Sequence, residues 1–247
     1  MDIFDTDTWK DFNLTDSLSL FIKDQFNISL SEDFIHQAVC DAGKFFGLPD
    51  PYQINESKEG SAFVVLYKPD TPCDDIVGYN PSWFKDYHIY DEDSFKIVMT
   101  HEAAHRFFQN HFYNFINPWE EELACDYLAA VRSYLEGINN ETFMETIETW
   151  SQDSTHPYGK WRNDIMTYGL QVAETLSTAG NMDIYTCLNH FTNYLNVNRI
   201  VIQNEYFKEN DVFQHNYYTN SGRITVDDLS ENNDDIKYNN EIGKNSF

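Results

Sequence analysis

His101-Glu102-Ala103-Ala104-His105 lies inside Asp91 to Phe112, a run in which Phe95, Val98, Met99, Phe107 and Phe108 recur at helical spacing. On an α-helix, residues four apart are rotated by about 40° from each other, so both imidazoles face one point. Neutral imidazole nitrogens suit zinc, which in reactive sites takes three protein ligands and leaves a fourth position for water. Glu102 is turned away from that shared direction and can stand beside the water as a general base. An amphipathic helix with two core or solvated histidines would carry the same five residues, so the flanking sequence has to decide.

Two imidazoles are too few for a protein zinc site, and two residues compete for the third bond. His111 stands where the pattern HExxHxxGxxH puts its third histidine, but that geometry needs a glycine to turn the chain. Phe108 occupies the glycine position and favours continuing the helix. Glu122 opens Glu122-Leu123-Ala124-Cys125-Asp126 on a following helix that a short connection at Asn117-Pro118 would lay against the first. Asp126, one turn on, can accept a hydrogen bond from the outer nitrogen of a metal-bound histidine. Glu120 and Glu121 are immediate rivals of Glu122, and all these acids also suit the positive end of a helix.

Outward from this pair, Ser31 caps an expected helix through Phe34, Ile35, Ala38, Val39 and Phe45 that stops at Gly47 and Pro49. A weaker helix is expected through Leu18, Phe21, Ile22 and Phe26. Tyr52 to Glu56 and Ser61 to Tyr67, separated by Lys58-Glu59-Gly60, read as a hairpin. Asp75 to Tyr79 reads as a further strand, placed so that its edge could add an extended substrate. After the metal helix come helices over 119–135, 141–150, 160–179 and 183–207. The expected class is α+β, mostly helical, with a small antiparallel or mixed sheet packed on the metal-binding helices. Residues 1–50 form an N-terminal helical segment, 51–207 the catalytic domain with its C-terminal helices, and 208–247 an acidic, Asn-rich, flexible tail.

Composition narrows the partners. With 41 acidic against 16 basic residues the formal charge is −25, which repels phosphate backbones and anionic membrane surfaces. Nucleic acid is therefore excluded as an expected partner, and a peptide or protein substrate is retained. No apolar run reaches the roughly eighteen residues of a membrane span. Met1-Asp2-Ile3-Phe4-Asp5 lacks the basic and apolar regions of an export signal, so the expected location is cytoplasmic. Cys40, Cys73, Cys125 and Cys187 form no CxxC pair and read as reduced packing residues.

His101-Glu102-Ala103-Ala104-His105, Glu122 with Asp126, and His156-Pro157 with Arg162 follow one another in the order HExxH, ExxxD, His-Pro with an arginine six residues after the histidine. In this the chain resembles the gluzincin zinc metallopeptidases, and within them the minigluzincin, HtpX-like group. The likeness covers about residues 60–180. It implies a zincin-like catalytic domain, His101, His105 and Glu122 as zinc ligands, Glu102 as base, and His156 with Arg162 near the substrate. The short interval from His105 to Glu122 and the lack of membrane helices are closer to the soluble ImmA/IrrE-type peptidases. The implied activity is zinc-dependent endopeptidase hydrolysis of a peptide or protein; the alternative is a catalytically silent, peptidase-like binding or regulatory module.

Overall fold

The computed structural model describes residues 30–51, 53–56, 63–66, 76–111 and 114–220. The expected helix around Leu18 to Phe26, the Lys58-Glu59-Gly60 turn, Cys73 and the tail beyond residue 220 lie outside these residues.

Helix ends follow local capping chemistry. Helix α1 (Glu32–Phe45) starts where the Ser31 side chain accepts from the Phe34 amide. Strands β1 (Gln53–Glu56), β2 (Phe63–Leu66) and β3 (Ile76–Tyr79) come next. Asn80 then caps the short α2 (Pro81–Asp86), with proline in the first turn where its missing amide costs nothing. Asp91 caps α3 (Glu92–Asn110), and Asn117 caps α4 (Pro118–Glu136), which ends at left-handed Gly137. Helices α5 (Glu141–Glu148), α6 (Gly159–Thr178) and α7 (Ile184–Asn220) complete the described chain.

Four sequence expectations are corrected. The described chain is mostly helical rather than α+β: its strands are four residues each, too short to make a layer with its own core. The 52–56 and 61–67 segments do not form a hairpin either. The strand order is β1-β3-β2, with β3 parallel to β1 and antiparallel to β2. Both sides of β3 are thus already paired, and it cannot serve as the free edge expected of the strand upstream of the metal helix. Helix α7 also runs thirteen residues past the expected stop at Phe207, because no glycine or proline interrupts the chain before Gly222.

The core lies between α3, α4 and α6, with α1 against the outer side of α3 and α7 against α4. Trp119, Leu123, Tyr127, Leu128, Ile165, Met166 and Ala173 are fully buried there. Arg132, also buried, donates from Nη1 to Thr100 Oγ1 at 2.7 Å and ties α4 to α3. Among the described residues no helix is long and apolar enough to cross a membrane.

Helices α4 and α6 touch closely at Gly169, where a Cβ would sit 2.7 Å from the Tyr127 carbonyl oxygen and 3.1 Å from the Ala130 Cβ. Alanine is the better helix former by about 1 kcal/mol. Backbone cannot yield as a flexible side chain can, so overpacking at about 1–3 kcal/mol should win. Gly169→Ala is expected to lower the urea midpoint; an unchanged or raised midpoint would contradict this close packing.

Candidate metal centre

Helices α3 and α4, seven residues apart in sequence, lie so that one turn of α3 faces one turn of α4 in antiparallel register. His101 therefore meets Asp126, and His105 meets Glu121, with Nδ1 to carboxylate distances of 2.8 and 2.9 Å. An acceptor at Nδ1 places the proton of a neutral ring there and leaves Nε2 with its lone pair. The two Nε2 atoms are 3.2 Å apart. Glu122 stands opposite, its Oε2 3.1 Å from His101 Nε2 and its Oε1 3.3 Å from His105 Nε2.

A third imidazole approaches from the segment between α5 and α6. His156 Nε2 is 3.5 Å from Glu122 Oε2, while its Nδ1 is held by Thr155 Oγ1 at 2.8 Å and both Asp153 carboxylate oxygens at 3.1 Å. Asp153 Oδ1 also accepts from the amides of Thr155 and His156. Trp119 fixes this segment to α4 by donating from Nε1 to the Asp153 carbonyl at 3.0 Å. Gly159 closes it by donating to the Trp150 carbonyl, and any Cβ there would run into the Ile147 carbonyl.

Arg162 lies deeper than the sequence suggested. It is buried and grips Asp126 with two bonds, Nε to Oδ2 at 2.7 Å and Nη2 to Oδ1 at 2.9 Å. A continuous chain Arg162–Asp126–His101 results, so Arg162 orients a histidine through a carboxylate. Its guanidinium also lies over the Trp150 ring, 5.4 Å from the centroid.

The rival acids have other work. Glu120 is fully buried and takes both Arg199 Nε and Nη2, at 3.0 and 3.1 Å. His111 caps α3, its Nδ1 donating to the Phe107 carbonyl at 2.8 Å, away from the His101–His105 pair as the uninterrupted helix requires. Cys125 was not anticipated at the site: the buried group His101, His105 and Cys125 brings its ligand atoms within 4.8 Å of one another and could hold a metal ion. Burial pushes the Cys125 thiol up to about 12. Burial would raise the Glu122 carboxyl as well, but the imidazoles of His101 and His105 outweigh it and hold the group well below the usual range. At neutral pH the anion facing both rings is Glu122, and the thiol is uncharged.

Glu102 faces an open cleft of about 270 Å³ beside His105, Glu122, His156 and Arg162, walled by Trp83, Tyr87 and Trp150. Burial raises its carboxyl above the ordinary 4.5 against the lowering pull of the nearby imidazoles. A smaller chamber of about 30 Å³ between Glu102, His101, His156 and Arg162 has room for a water. Sequence reasoning weighed Glu121 only as a rival ligand and not as the partner of His105 Nδ1, and it missed Asp153 and the aromatic wall. Only Asp153 left a local trace, three residues before His156; the others depend on which helices meet.

Burial alone would lower His101, but the Asp126 charge and hydrogen bond, with the Glu122 carboxylate close by, take it up to about 9. In the metal-free chain its stabilising interaction is full below pH 6.5 and is lost as pH rises through about 9. A metal must displace that proton, so apparent metal affinity is expected to climb between those limits by up to about tenfold per pH unit. Competition with a chelator measures this, and a pH-independent affinity would sink it. Asp126→Asn should weaken metal binding about 10–100-fold in the same titration, because it loosens His101 without touching a ligand atom. No protein-family model, curated protein or solved structure matches the chain.

Proposed function

We propose that this chain is a zinc-dependent metallopeptidase that hydrolyses a peptide or protein, with His101, His105 and Glu122 as zinc ligands and Glu102 as proton acceptor. One observation carries the reading. The Nε2 atoms of three imidazoles converge on one buried carboxylate, and Glu122 Oε2 accepts no hydrogen bond. Without a metal, protons on His101 and His105 balance the Glu122 anion; zinc at the point of convergence would take their place and bond the oxygen left unpaired, which otherwise costs about 1–3 kcal/mol.

The spacing suits zinc. Bonds of about 2.0–2.1 Å in a tetrahedron put ligand atoms about 3.3–3.4 Å apart. His101 Nε2 and His105 Nε2 are 3.2 Å apart, and each has its own Glu122 oxygen at a similar distance, Oε2 at 3.1 Å from the first and Oε1 at 3.3 Å from the second. Two nitrogens and one oxygen form a donor set that zinc accepts. Cys125 is the alternative third donor; its neutral thiol would have to ionise in a site already crowded with carboxylates.

When bound, zinc supplies Lewis acidity and acidifies a water in its open position. The residues of the chain divide the remaining work. Glu102 stands in the cleft with a raised carboxyl, suited to take a proton near neutral pH and return it to a leaving amine. His156, oriented by Asp153, presents Nε2 toward the same point and can donate to developing negative charge on a carbonyl oxygen. Asp126 and Arg162 hold His101 in orientation. Trp83, Tyr87 and Trp150 offer apolar surface to a substrate side chain.

Glu102→Gln should keep stoichiometric zinc and lose cleavage by at least about 10²-fold. The zinc-loaded chain is incubated with a mixed peptide library, and new termini are counted by mass spectrometry. Undiminished cleavage by the variant removes Glu102 from the mechanism, and zinc that fails to bind the wild-type chain removes the reading altogether. Because the base must be deprotonated, kcat/KM should fall as pH drops through a carboxyl value above the ordinary 4.5. A profile flat across the weakly acidic range would count against Glu102.

A silent binding module built on the same scaffold remains the second reading. The open cleft beside Glu102 favours turnover, and a zinc-loaded chain that binds library peptides without producing new termini would support the silent form.

A further inference from the structure

Helix α7 has two apolar faces. Leu188, Phe191, Leu195 and Ile202 turn inward and are at most 6% exposed. On the other side Val197, Ile200, Val201 and Phe207 are 81, 74, 55 and 56% exposed. With the exposed Asn193 and Asn204 they mark positions 193, 197, 200, 204 and 207. These alternating steps of four and three residues are those with which one helix lies lengthwise against another.

Charge indicates the occupant. The chain carries 41 acidic residues, yet Ile184 to Asn204 contains none. Arg199, the one Lys or Arg in that run, is committed to buried Glu120. Two copies with a formal charge of −25 repel each other over most of their surface. Up to Asn204 the strip lets them meet without opposing carboxylates, and Glu205, the one acid between Asn193 and Phe207, is paired with Lys208 on its own helix. A basic partner would be drawn elsewhere, to the acidic surface. Asn204, set among apolar positions, resembles the single polar residue that fixes register when it pairs with its own mate.

We propose that the outward face of α7, from Asn193 to Phe207, is a two-fold interface between two copies of this chain. Each copy offers the same patch to the other, so the contact closes at the dimer. A fifteen-residue face is about 22 Å long. One such helix pair buries less than the roughly 800 Å² per partner of a standard interface, so association is weak and concentration-dependent. The proposal does not depend on the metal site.

The test is sedimentation velocity of the full chain from micromolar to submillimolar concentration. It compares wild type, Val197→Glu/Ile200→Glu, and a control, Lys160→Glu, at an exposed site on α6. Both replaced side chains of the double variant are exposed, so its fold should survive, which circular dichroism checks. Wild type and control should pass from monomer to dimer, and the double variant should associate at least tenfold more weakly. Four outcomes overturn the proposal: a monomer at every concentration, association unaffected by the double variant, growth beyond the dimer, or a monomer whose Val197→Cys thiol resists labelling. The last would mean that another segment of the same chain lies on the strip.

Discussion

One turn of α3 against one turn of α4, in antiparallel register, is the constraint from which the site geometry follows. His101 and His105 are four apart on one helix; Glu122 and Asp126 are four apart on the other. Because the helices run in opposite directions, the first histidine meets the second acid, and Glu122 is left between the two rings. No long loop has to find its place. Two arginines hold the register at its His101–Asp126 end, Arg132 on Thr100 and Arg162 on Asp126. Both arginines are buried, and each commits its charge to a polar group on a helix of the pair.

The His156 segment obeys a different logic, since it has no helical register to place it. It is fixed by its ends and by its own polar groups: Trp119 holds the Asp153 carbonyl, Gly159 holds the Trp150 carbonyl, and Asp153 gathers the Thr155 and His156 amides. Helix α7 reaches the same region from behind. Glu209 accepts from the Tyr158 hydroxyl at 2.7 Å and from Gln152 Nε2 at 3.3 Å. The imidazole is thus presented by a braced loop, a less exact arrangement than a helix face and one that leaves the cleft open in front of it.

Helix limits were legible because capping is local: Ser31, Asp91, Asn117 and Gly137 announce themselves within three or four residues. The same chemistry stands at Asn80-Pro81, just past the strand read over Asp75 to Tyr79, and α2 was missed there. Strand pairing was not legible. Adjacent segments pair most often, so 52–56 and 61–67 suggested a hairpin, but β3 lies between them and no local signal encodes that. At the site, residues joined by helical period were found together: His101, His105, Glu122 and Asp126. Arg162 was read as a neighbour of substrate; it lines the cleft, but its hydrogen bonds go to Asp126, a partner that depends on how α6 packs and that spacing does not reveal.

The cost of this polar interior bears on what it is for. His101, Glu122, Asp126 and Arg162 are all less than a tenth exposed. Taking such charges out of water costs several kcal/mol per ion, and well-packed apolar residues of the same volume are often as stabilising or more so. A core selected for stability alone would replace the set with leucine and methionine, as α6 does one turn away at Ile165 and Met166. Asp126 and Arg162 at least satisfy each other. Glu122 does not: it is held ionised among imidazole nitrogens with one oxygen unbonded. Protons on His101 and His105 balance that charge but leave the oxygen unbonded; a cation at the point where the rings converge would do both, which is why the metal-site reading is preferred to a purely structural histidine cluster.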